Sequence, residues 1–181
     1  MARIELWNGD ICDLEVDAIV SPANTSLWMS TGVAGEIKRT GGDAIEFAAI
    51  RQGPVEVGQA VVTPAGRLAV KLIVHAVSLG RDRRTSGPAI EGAVRSALAR
   101  VREAGLASVA FPALGTGIGG FPLDDAARIT VQTVREELAT PSSIEHVIFA
   151  LRGTAAYTAF AQALAASAAV PVPAAGTGHH A

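Results

Sequence analysis

The residues best suited to chemistry lie in one glycine-rich stretch, FPALGTGIGGFPL at positions 111–123. The apolar run 108–111 predicts a buried strand that leads into Gly115-Thr116-Gly117-Ile118-Gly119-Gly120, and Pro122 opens a predicted helix with two acidic residues in its first turn. Glycine N–H groups can approach a ligand without interference from a Cβ atom, and a helix N-terminus favours an anion. Four glycines in six residues exceed what a tight turn needs. We therefore interpret this loop as a phosphate site.

The same loop also fits the dinucleotide fingerprint, because Gly115, Gly117 and Gly120 have its spacing and stand between a strand and a helix. The rest of that fingerprint is missing. The next predicted strand ends at Leu151-Arg152, without the acidic residue that would bind a ribose, and the loop is not the first strand–helix turn. A nicotinamide-dependent oxidoreductase is therefore the weaker interpretation.

Four other residues could take part in chemistry. Asp10 follows a strand and could accept a hydrogen bond from an exocyclic amine such as that of adenine; alternatively, it is a solvated loop aspartate or a helix cap. Asn24 could equally cap a helix or bind a sugar hydroxyl. His75 lies in an apolar strand and is expected to be a core histidine, and Cys12 has no histidine partner nearby in the sequence. Neither a zinc-binding motif nor a G-x-S-x-G motif is present.

The elements that must position these residues alternate between strands and helices. Periodicity predicts strands at 3–7, 16–20, 57–63, 69–79, 108–111 and 145–151, and helices beginning near Gly32, Asp43, Ile90, Pro122 and Thr154. This order predicts an α/β domain with a largely parallel sheet covered on both faces. In such sheets ligands bind beyond the carboxyl ends of the strands, so we expect the site in the loops 9–11, 24–34, 115–121 and 152–153.

Composition limits the class of protein. The 181 residues carry a formal net charge of -2, which gives no basic footprint for nucleic acid, so a phosphate must be held by local groups such as backbone amides. No apolar run is long enough for a membrane span, the N-terminus does not look like a signal peptide, and the single cysteine fits a reducing compartment. We expect a cytoplasmic protein with one domain at 1–166. We also expect a disordered Ala/Pro/Gly tail at 167–181, whose two histidines fit a tag remnant better than a metal site.

Taken together, these stretches resemble the macro domain family, whose members bind ADP-ribose. The segments that carry the resemblance are Gly9-Asp10-Ile11, 16–20 with Pro22-Ala23-Asn24, Gly32-Val33-Ala34-Gly35, Ile73-Val74-His75, and 111–117 through Phe121-Pro122. They are in the family's order and span about 3–165, and several look closest to the macro domain of the histone variant and its bacterial relatives. The resemblance implies a three-layer α/β/α fold with a mixed, mostly parallel central sheet flanked by helices.

The resemblance also implies a ligand pose. Asp10 would bind the adenine amine, the Ile11 amide another adenine nitrogen, and Asn24 the distal ribose. The diphosphate would lie between two loops, and Phe121 would pack near the distal ribose. Arg152 stands in place of the aromatic residue that stacks on adenine, and its planar guanidinium could still stack. The loop residues implied to line the diphosphate are Gly32, Val33 and Ala34 on one side and Gly115, Thr116, Gly117, Ile118 and Gly119 on the other.

The implied partners are ADP-ribose and ADP-ribosylated proteins, with no metal and no cofactor. Family members that remove ADP-ribose from proteins often carry an aspartate where this chain has Ala34. We favour a hydrolase that frees mono-ADP-ribose from acidic side chains, with water oriented by the ligand's diphosphate and by Asn24 as the one catalytic candidate. A non-catalytic ADP-ribose reader and a deacetylase of O-acetyl-ADP-ribose are the alternatives.

Overall fold

The computed structural model describes residues 1–168 and shows six strands and five α-helices. The strands are β1 (Arg3–Asn8), β2 (Ala18–Asn24), β3 (Ala60–Pro64), β4 (Leu72–Leu79), β5 (Ser108–Phe111) and β6 (His146–Leu151). The helices are α1 (Gly32–Gly41), α2 (Asp43–Ile50), α3 (Gly87–Glu103), α4 (Leu123–Leu138) and α5 (Thr154–Ala168), and a short 3-10 helix covers Ile11–Asp13. Within this part of the chain no helix is both long and apolar enough to cross a membrane.

The strands form one mixed sheet in the order β1-β6-β5-β2-β4-β3. Every neighbouring pair is parallel except β3 with β4, which is antiparallel. Parallel strands need crossover helices, so both faces of the sheet are covered. The predicted mixed, mostly parallel sheet is therefore confirmed.

Alternating side chains of the strands build two separate cores. One face packs against α3, α4 and α5 through a large apolar cluster that includes Val109, Phe111, Phe149 and Phe160, all fully buried. The other face packs against α1, α2 and the 3-10 helix. Ile19 of β2 is fully buried between the sheet and these helices. This period-two division of each strand gives the predicted three layers.

Two element boundaries differ from the prediction. Strand β2 does not stop at residue 20 but continues through Pro22 to Asn24. Beyond Ile19 it pairs with β4 alone, and a half-paired strand tolerates a residue that lacks an N–H group. Pro122 precedes α4 as its N-cap rather than opening the helix, whereas Asp124 and Asp125 do occupy the first turn. Helix α5 runs to Ala168, so two residues of the predicted tail are helical, and 169–181 lie outside the described residues.

His75 has the structural role that its sequence context predicts. Its side chain is 1% exposed, and its Nε2 lies 2.8 Å from Oγ1 of Thr63, within hydrogen-bond distance. Burial lowers the pKa of His75 from 6.5 to about 4, because the charged form would lose its hydration. The ring is therefore a neutral core group near pH 7.

Asp17 links the amino-terminal ends of three parallel strands. Its Oδ2 accepts hydrogen bonds from the N–H groups of Ala107 (2.9 Å) and Ser108 (3.2 Å), and its Oδ1 lies 2.9 Å from Nζ of Lys71. The Lys71 ammonium and these N–H groups hold the pKa of Asp17 below its usual range. These bonds fix the starts of β2, β4 and β5 relative to one another, and the loops at the other end of the strands surround a cleft.

Candidate functional site: a cleft across the carboxyl ends of the strands

One cleft of about 310 Å³ lies where parallel α/β sheets bind ligands. Residues at or just after the carboxyl ends of β1, β2, β4, β5 and β6 line it, so it crosses five strands of the sheet. Four strand spacings of about 4.8 Å make a path of about 19 Å, long enough for an extended ligand rather than a single small group. All but one of the residues implied by the resemblance line the cleft, namely Asp10, Ile11, Asn24, Gly32, Val33, Ala34, Gly115, Thr116, Gly117, Ile118, Gly119 and Arg152.

The exception is Phe121, which the resemblance implies to lie near the distal ribose. Its N–H donates to the carbonyl of Gly115 (3.0 Å), which folds the loop back on itself. The phenyl ring is partly buried against the core formed with α3, α4 and α5, and it is not among the residues that line the cleft. Its apolar area is more stable there than beside a polar ligand.

The centre of the cleft carries an open helix N-terminus. Helix α1 begins there, and its N-cap residue Thr31 makes no side-chain capping hydrogen bond. In α3, by contrast, Ser86 Oγ accepts from the N–H of Ala89. The first turn of α1 also contains no acidic side chain. The first amides of a helix have no intrahelical partner, and the helix dipole makes this end positive. The start of α1 is therefore suited to an anion.

The glycine loop faces the same cleft, and its glycines have different roles. A Cβ atom at Gly115, whose φ is +81°, would lie 2.7 Å from Cδ1 of the buried Ile90, so glycine is needed there for the fold. A Cβ at Gly119 would lie 2.9 Å from the carbonyl oxygen of Gly115. At Gly117, by contrast, a Cβ would meet nothing within 4 Å. This glycine keeps a space in the cleft free rather than relieving a clash in the protein.

Among the described residues that line the cleft, Arg152 is the only lysine or arginine. It lies at the β1/β6 end, where its Nη2 is 2.6 Å from Oδ2 of Asp10. The other oxygen of Asp10 accepts the N–H of Cys12 at 2.9 Å, so Asp10 does cap the 3-10 helix. The centre of the cleft has backbone amides and no cationic side chain.

A second carboxylate, that of Glu36, lines the cleft and was missed by the sequence analysis. It forms an ion pair with Arg39, one turn further along α1. The pKa of the Cys12 thiol is raised to about 12. Burial is the largest cause, and the carboxylates of Asp10 and Glu36 add to it. A thiol with this pKa is protonated at neutral pH, so Cys12 is not a nucleophile there.

Asn24 marks the other end, where β2 and β4 finish. Its Oδ1 accepts from Ser26 N (3.1 Å) and Ser26 Oγ (2.8 Å), and its Nδ2 donates to the carbonyl of Trp28 (3.2 Å). The side chain therefore holds the turn after β2, and one N–H of its amide remains for a ligand.

Leu27 in this turn has a φ of +64°, a strained conformation of the kind found at binding sites. Ser78 and Leu79 complete this end; the same strand-end rule that located the other loops points to them too.

In residues 1–168 no group of three or more His, Cys, Asp or Glu side chains could hold a metal ion. Of the two carboxylates of the cleft, Asp10 follows β1, which is three strand positions from the β2 end where Asn24 lies, and Glu36 is on α1. The cleft thus offers an amine acceptor at one end, amide donors at its centre and a polar amide at the other end.

Comparison with known proteins agrees with this geometry. The macro domain family model matches residues 20–130. An uncharacterized protein of Mycobacterium tuberculosis is 40% identical over 166 residues, which are 92% of this chain, but the match spans only 46% of that protein's length. A macro domain-containing protein of Streptomyces griseus is 43% identical over 172 residues, covering 90% of this chain and 94% of its own. An O-acetyl-ADP-ribose deacetylase of Salmonella gallinarum is 37% identical over 155 residues, 82% of this chain and 86% of its own.

Solved structures give the same result. The Oceanobacillus iheyensis macrodomain with ADP superposes with a TM-score of 0.84 at 25% identity, covering 91% of both chains. The Trypanosoma brucei macrodomain in complex with ADP-ribose gives a TM-score of 0.81 at 28% identity, covering 88% of this chain and 68% of its own. The resemblance seen in the sequence is confirmed by the family model, the relatives and the fold together. This chain belongs to the macro domain family.

Proposed function

We propose that this domain binds ADP-ribose in the cleft and hydrolyses carboxylic esters of its distal ribose, releasing mono-ADP-ribose from acidic side chains of proteins. The observation that carries the proposal is the uncapped N-terminus of α1 opposite the open space at Gly117, with no cationic side chain between them. A diphosphate fits such a site, because aligned amides and the helix dipole neutralise it without lysines. The Trypanosoma brucei macrodomain, which has this fold, holds ADP-ribose.

The ends of the cleft fix the direction of the ligand. The adenine ring belongs at the β1/β6 end, where the Asp10 carboxylate can accept its amine and Arg152 can stack on the ring. The distal ribose then belongs at the β2/β4 end, beside the free N–H of Asn24. Asp10 lies at the adenine end and Glu36 is held by an ion pair with Arg39, so neither carboxylate of the described cleft is assigned to the distal ribose.

The lack of a carboxylate assigned to the distal ribose suits an ester better than a less reactive linkage. In the proposed step a water molecule attacks the anomeric carbon of the distal ribose, the bond between that carbon and the ester oxygen breaks, and the carboxylate leaves with the bonding electrons. No proton has to be supplied to this leaving group, and the proton of the water passes to solvent. Positioning of the water by the diphosphate and Asn24 could lower the barrier by as much as about 7–11 kcal/mol in ideal geometry.

Two alternatives keep specific support. The Salmonella gallinarum relative is a deacetylase of O-acetyl-ADP-ribose, which carries the same class of ester on a much smaller acyl group. A non-catalytic reader is favoured by Ala34, whose methyl group cannot orient water or accept a proton. This chain spans about half the length of the mycobacterial relative. A reader domain usually recruits an attached segment, so a further segment would favour the reader over the hydrolase.

The test is a time course of free ADP-ribose released from a protein ADP-ribosylated on glutamate or aspartate and, separately, from O-acetyl-ADP-ribose. We expect the wild type to release ADP-ribose from the protein ester. Asn24→Ala should release it at least about tenfold more slowly, because the attacking water is then positioned less well. The melting temperature of Asn24→Ala serves as its control, because the amide also holds the turn after β2. Release only from the acetyl ester would favour the deacetylase. Tight binding without release from either substrate would establish a reader.

A further inference from the structure

The loop between β4 and α3 carries a concentration of positive charge that the proposed cleft chemistry does not use. Residues 80–84, which we call the arginine loop, contain Arg81, Arg83 and Arg84 against one aspartate, Asp82. All four side chains are exposed. None of the three guanidinium groups forms an ion pair with a carboxylate of residues 1–168, although the whole protein has a net charge of -2. Such a local excess attracts an acidic partner.

The arginine loop is a closed turn rather than a loose connection. The Gly80 N–H donates to the Arg84 carbonyl (2.9 Å), and the Arg83 N–H donates to the Gly80 carbonyl (3.1 Å). Asp82 uses Oδ1 to accept the N–H of Arg84 (3.0 Å), so its carboxylate supports the backbone. Arg83 has a φ of +60°, an uncommon value for a residue with a side chain. The turn therefore presents its guanidinium groups from a defined backbone.

The two residues that flank the arginine loop lie against the glycine loop of the cleft. A Cβ placed on Gly119 would lie 3.3 Å from Cδ1 of Leu79 and 2.9 Å from Cγ2 of Thr85, the residues on either side of the arginine loop. Leu79 itself lines the cleft, at the β4 end. This is the end assigned to the distal ribose, so whatever is esterified to that ribose leaves the cleft beside the arginine loop.

Two large apolar side chains border the same exit. Trp28, whose carbonyl is bonded to Asn24, is 57% exposed, and Ile118 in the glycine loop is 59% exposed. Both line the cleft. Exposed apolar groups next to unpaired arginines are typical of surfaces that bind polypeptide. A free acetyl group would reach neither the arginines nor much of this apolar area.

We infer that the arginine loop is a docking surface for the polypeptide that carries the ADP-ribose, and that it selects modified glutamates or aspartates flanked by further acidic residues. This inference rests on the proposed function, because it assumes that the distal ribose lies beside Asn24. A polypeptide fits better than a nucleic acid or a long ADP-ribose polymer, since the charge is confined to four residues and does not continue as a strip.

The test measures affinity rather than turnover, so that a reader and a hydrolase both give a result. Two peptides of equal length carry ADP-ribose through a non-hydrolysable linkage, one flanked by aspartate and glutamate and the other by asparagine and glutamine. The variant is Arg81→Gln/Arg84→Gln; Arg83 is left unchanged because of its backbone conformation. The control, Arg3→Gln/Arg100→Gln, removes the same number of charges away from the carboxyl ends of the strands, where β1 starts and α3 ends; both of these arginines are ion-paired, so the melting temperature of this control is checked first.

We expect the wild type to bind the acidic peptide about fivefold more tightly than the neutral one, since each exposed ion pair contributes a factor of about two to three. The preference should shrink as salt is raised. It should disappear in Arg81→Gln/Arg84→Gln and persist in the control, while the affinity for free ADP-ribose stays the same in all three proteins.

Equal affinity of the wild type for both peptides would overturn the inference and leave the proposed function standing, provided that free ADP-ribose still binds. A preference that survives in Arg81→Gln/Arg84→Gln would overturn it as well. If that variant instead lost affinity for an ADP-ribose oligomer but not for the acidic peptide, the surface would serve the polymer. Failure of free ADP-ribose to bind the wild type would refute the proposed function itself.

Discussion

Replacing Asp10 by asparagine should reverse the preference of the cleft between adenine and hypoxanthine. Asp10 Oδ1 is occupied by the Cys12 N–H, and Oδ2, beside Arg152, is the oxygen that can accept the adenine amine. Hypoxanthine carries a carbonyl oxygen in place of that amine, and a carboxylate repels it. Asparagine keeps an acceptor for Cys12 and offers an NH₂ group that can donate to the carbonyl.

The size of the effect follows from the position of Asp10. A hydrogen bond to a charged group contributes about 1.5–3 kcal/mol when desolvated. The Asp10 side chain is 25% exposed and shares its charge with Arg152, so the lower end of that range applies. The wild type should therefore bind ADP-ribose about tenfold more tightly than inosine diphosphate ribose, and a full deletion, Asp10→Ala, should weaken ADP-ribose binding by ~1–3 kcal/mol.

Isothermal titration calorimetry with the two nucleotides measures this preference directly. The matched control is Asp13→Ala, which removes an exposed carboxylate from the same 3-10 helix and should leave the ratio of the two affinities unchanged. In Asp10→Asn we expect ADP-ribose to bind about tenfold more weakly and inosine diphosphate ribose to bind at least as well as ADP-ribose. An unchanged ratio in Asp10→Asn would show that the adenine ring does not lie beside Asp10.

Three further outcomes follow from the structure. Arg152→Ala should weaken ADP-ribose binding severalfold in calorimetry and Arg152→Tyr should restore it, because an aromatic ring stacks on a base with about 1–3 kcal/mol; no recovery would remove Arg152 as the stacking group. Stability measured by urea unfolding should fall by about 1.4 kcal/mol per pH unit from pH 6.5 toward 4.5, because the unfolded state protonates His75 at 6.5 and the folded state only near 4. His75→Gln should flatten this window, whereas a slope that persists would assign it to other groups. Gly115→Ala should cost about 1–3 kcal/mol of stability through its φ of +81° and the clash with Ile90, and an unchanged melting temperature would contradict the packing.

The sequence predicts the fold well because its signals are local. Alternation in β1, the apolar run of β5 and the helical stripe from Ile90 to Val101 each lie within one element, and period decides the type of each. The end of β2 was missed because Pro22 looks like a stop, and only the pairing of neighbouring strands shows that the proline is tolerated.

The site was predicted to the level of loops but not of contacts. The strand-end rule located the loops, and the glycine spacing predicted which of them would bind phosphate. The ion pair between Asp10 and Arg152 joins residues 142 positions apart, and no local pattern encodes it. The same limit explains Phe121, whose burial depends on how the glycine loop folds back, and Glu36, which reaches the cleft through the placement of α1.

The most direct test of the account is a calorimetric titration of ADP-ribose into the wild type and into Gly117→Val. A Cβ at Gly117 meets no protein atom within 4 Å, so the valine should leave the melting temperature within a few degrees of the wild type and project into the space assigned to the diphosphate. We expect saturable binding of one ADP-ribose by the wild type and no measurable binding by the variant. Equal binding by both folded proteins would show that the diphosphate does not lie between α1 and the glycine loop.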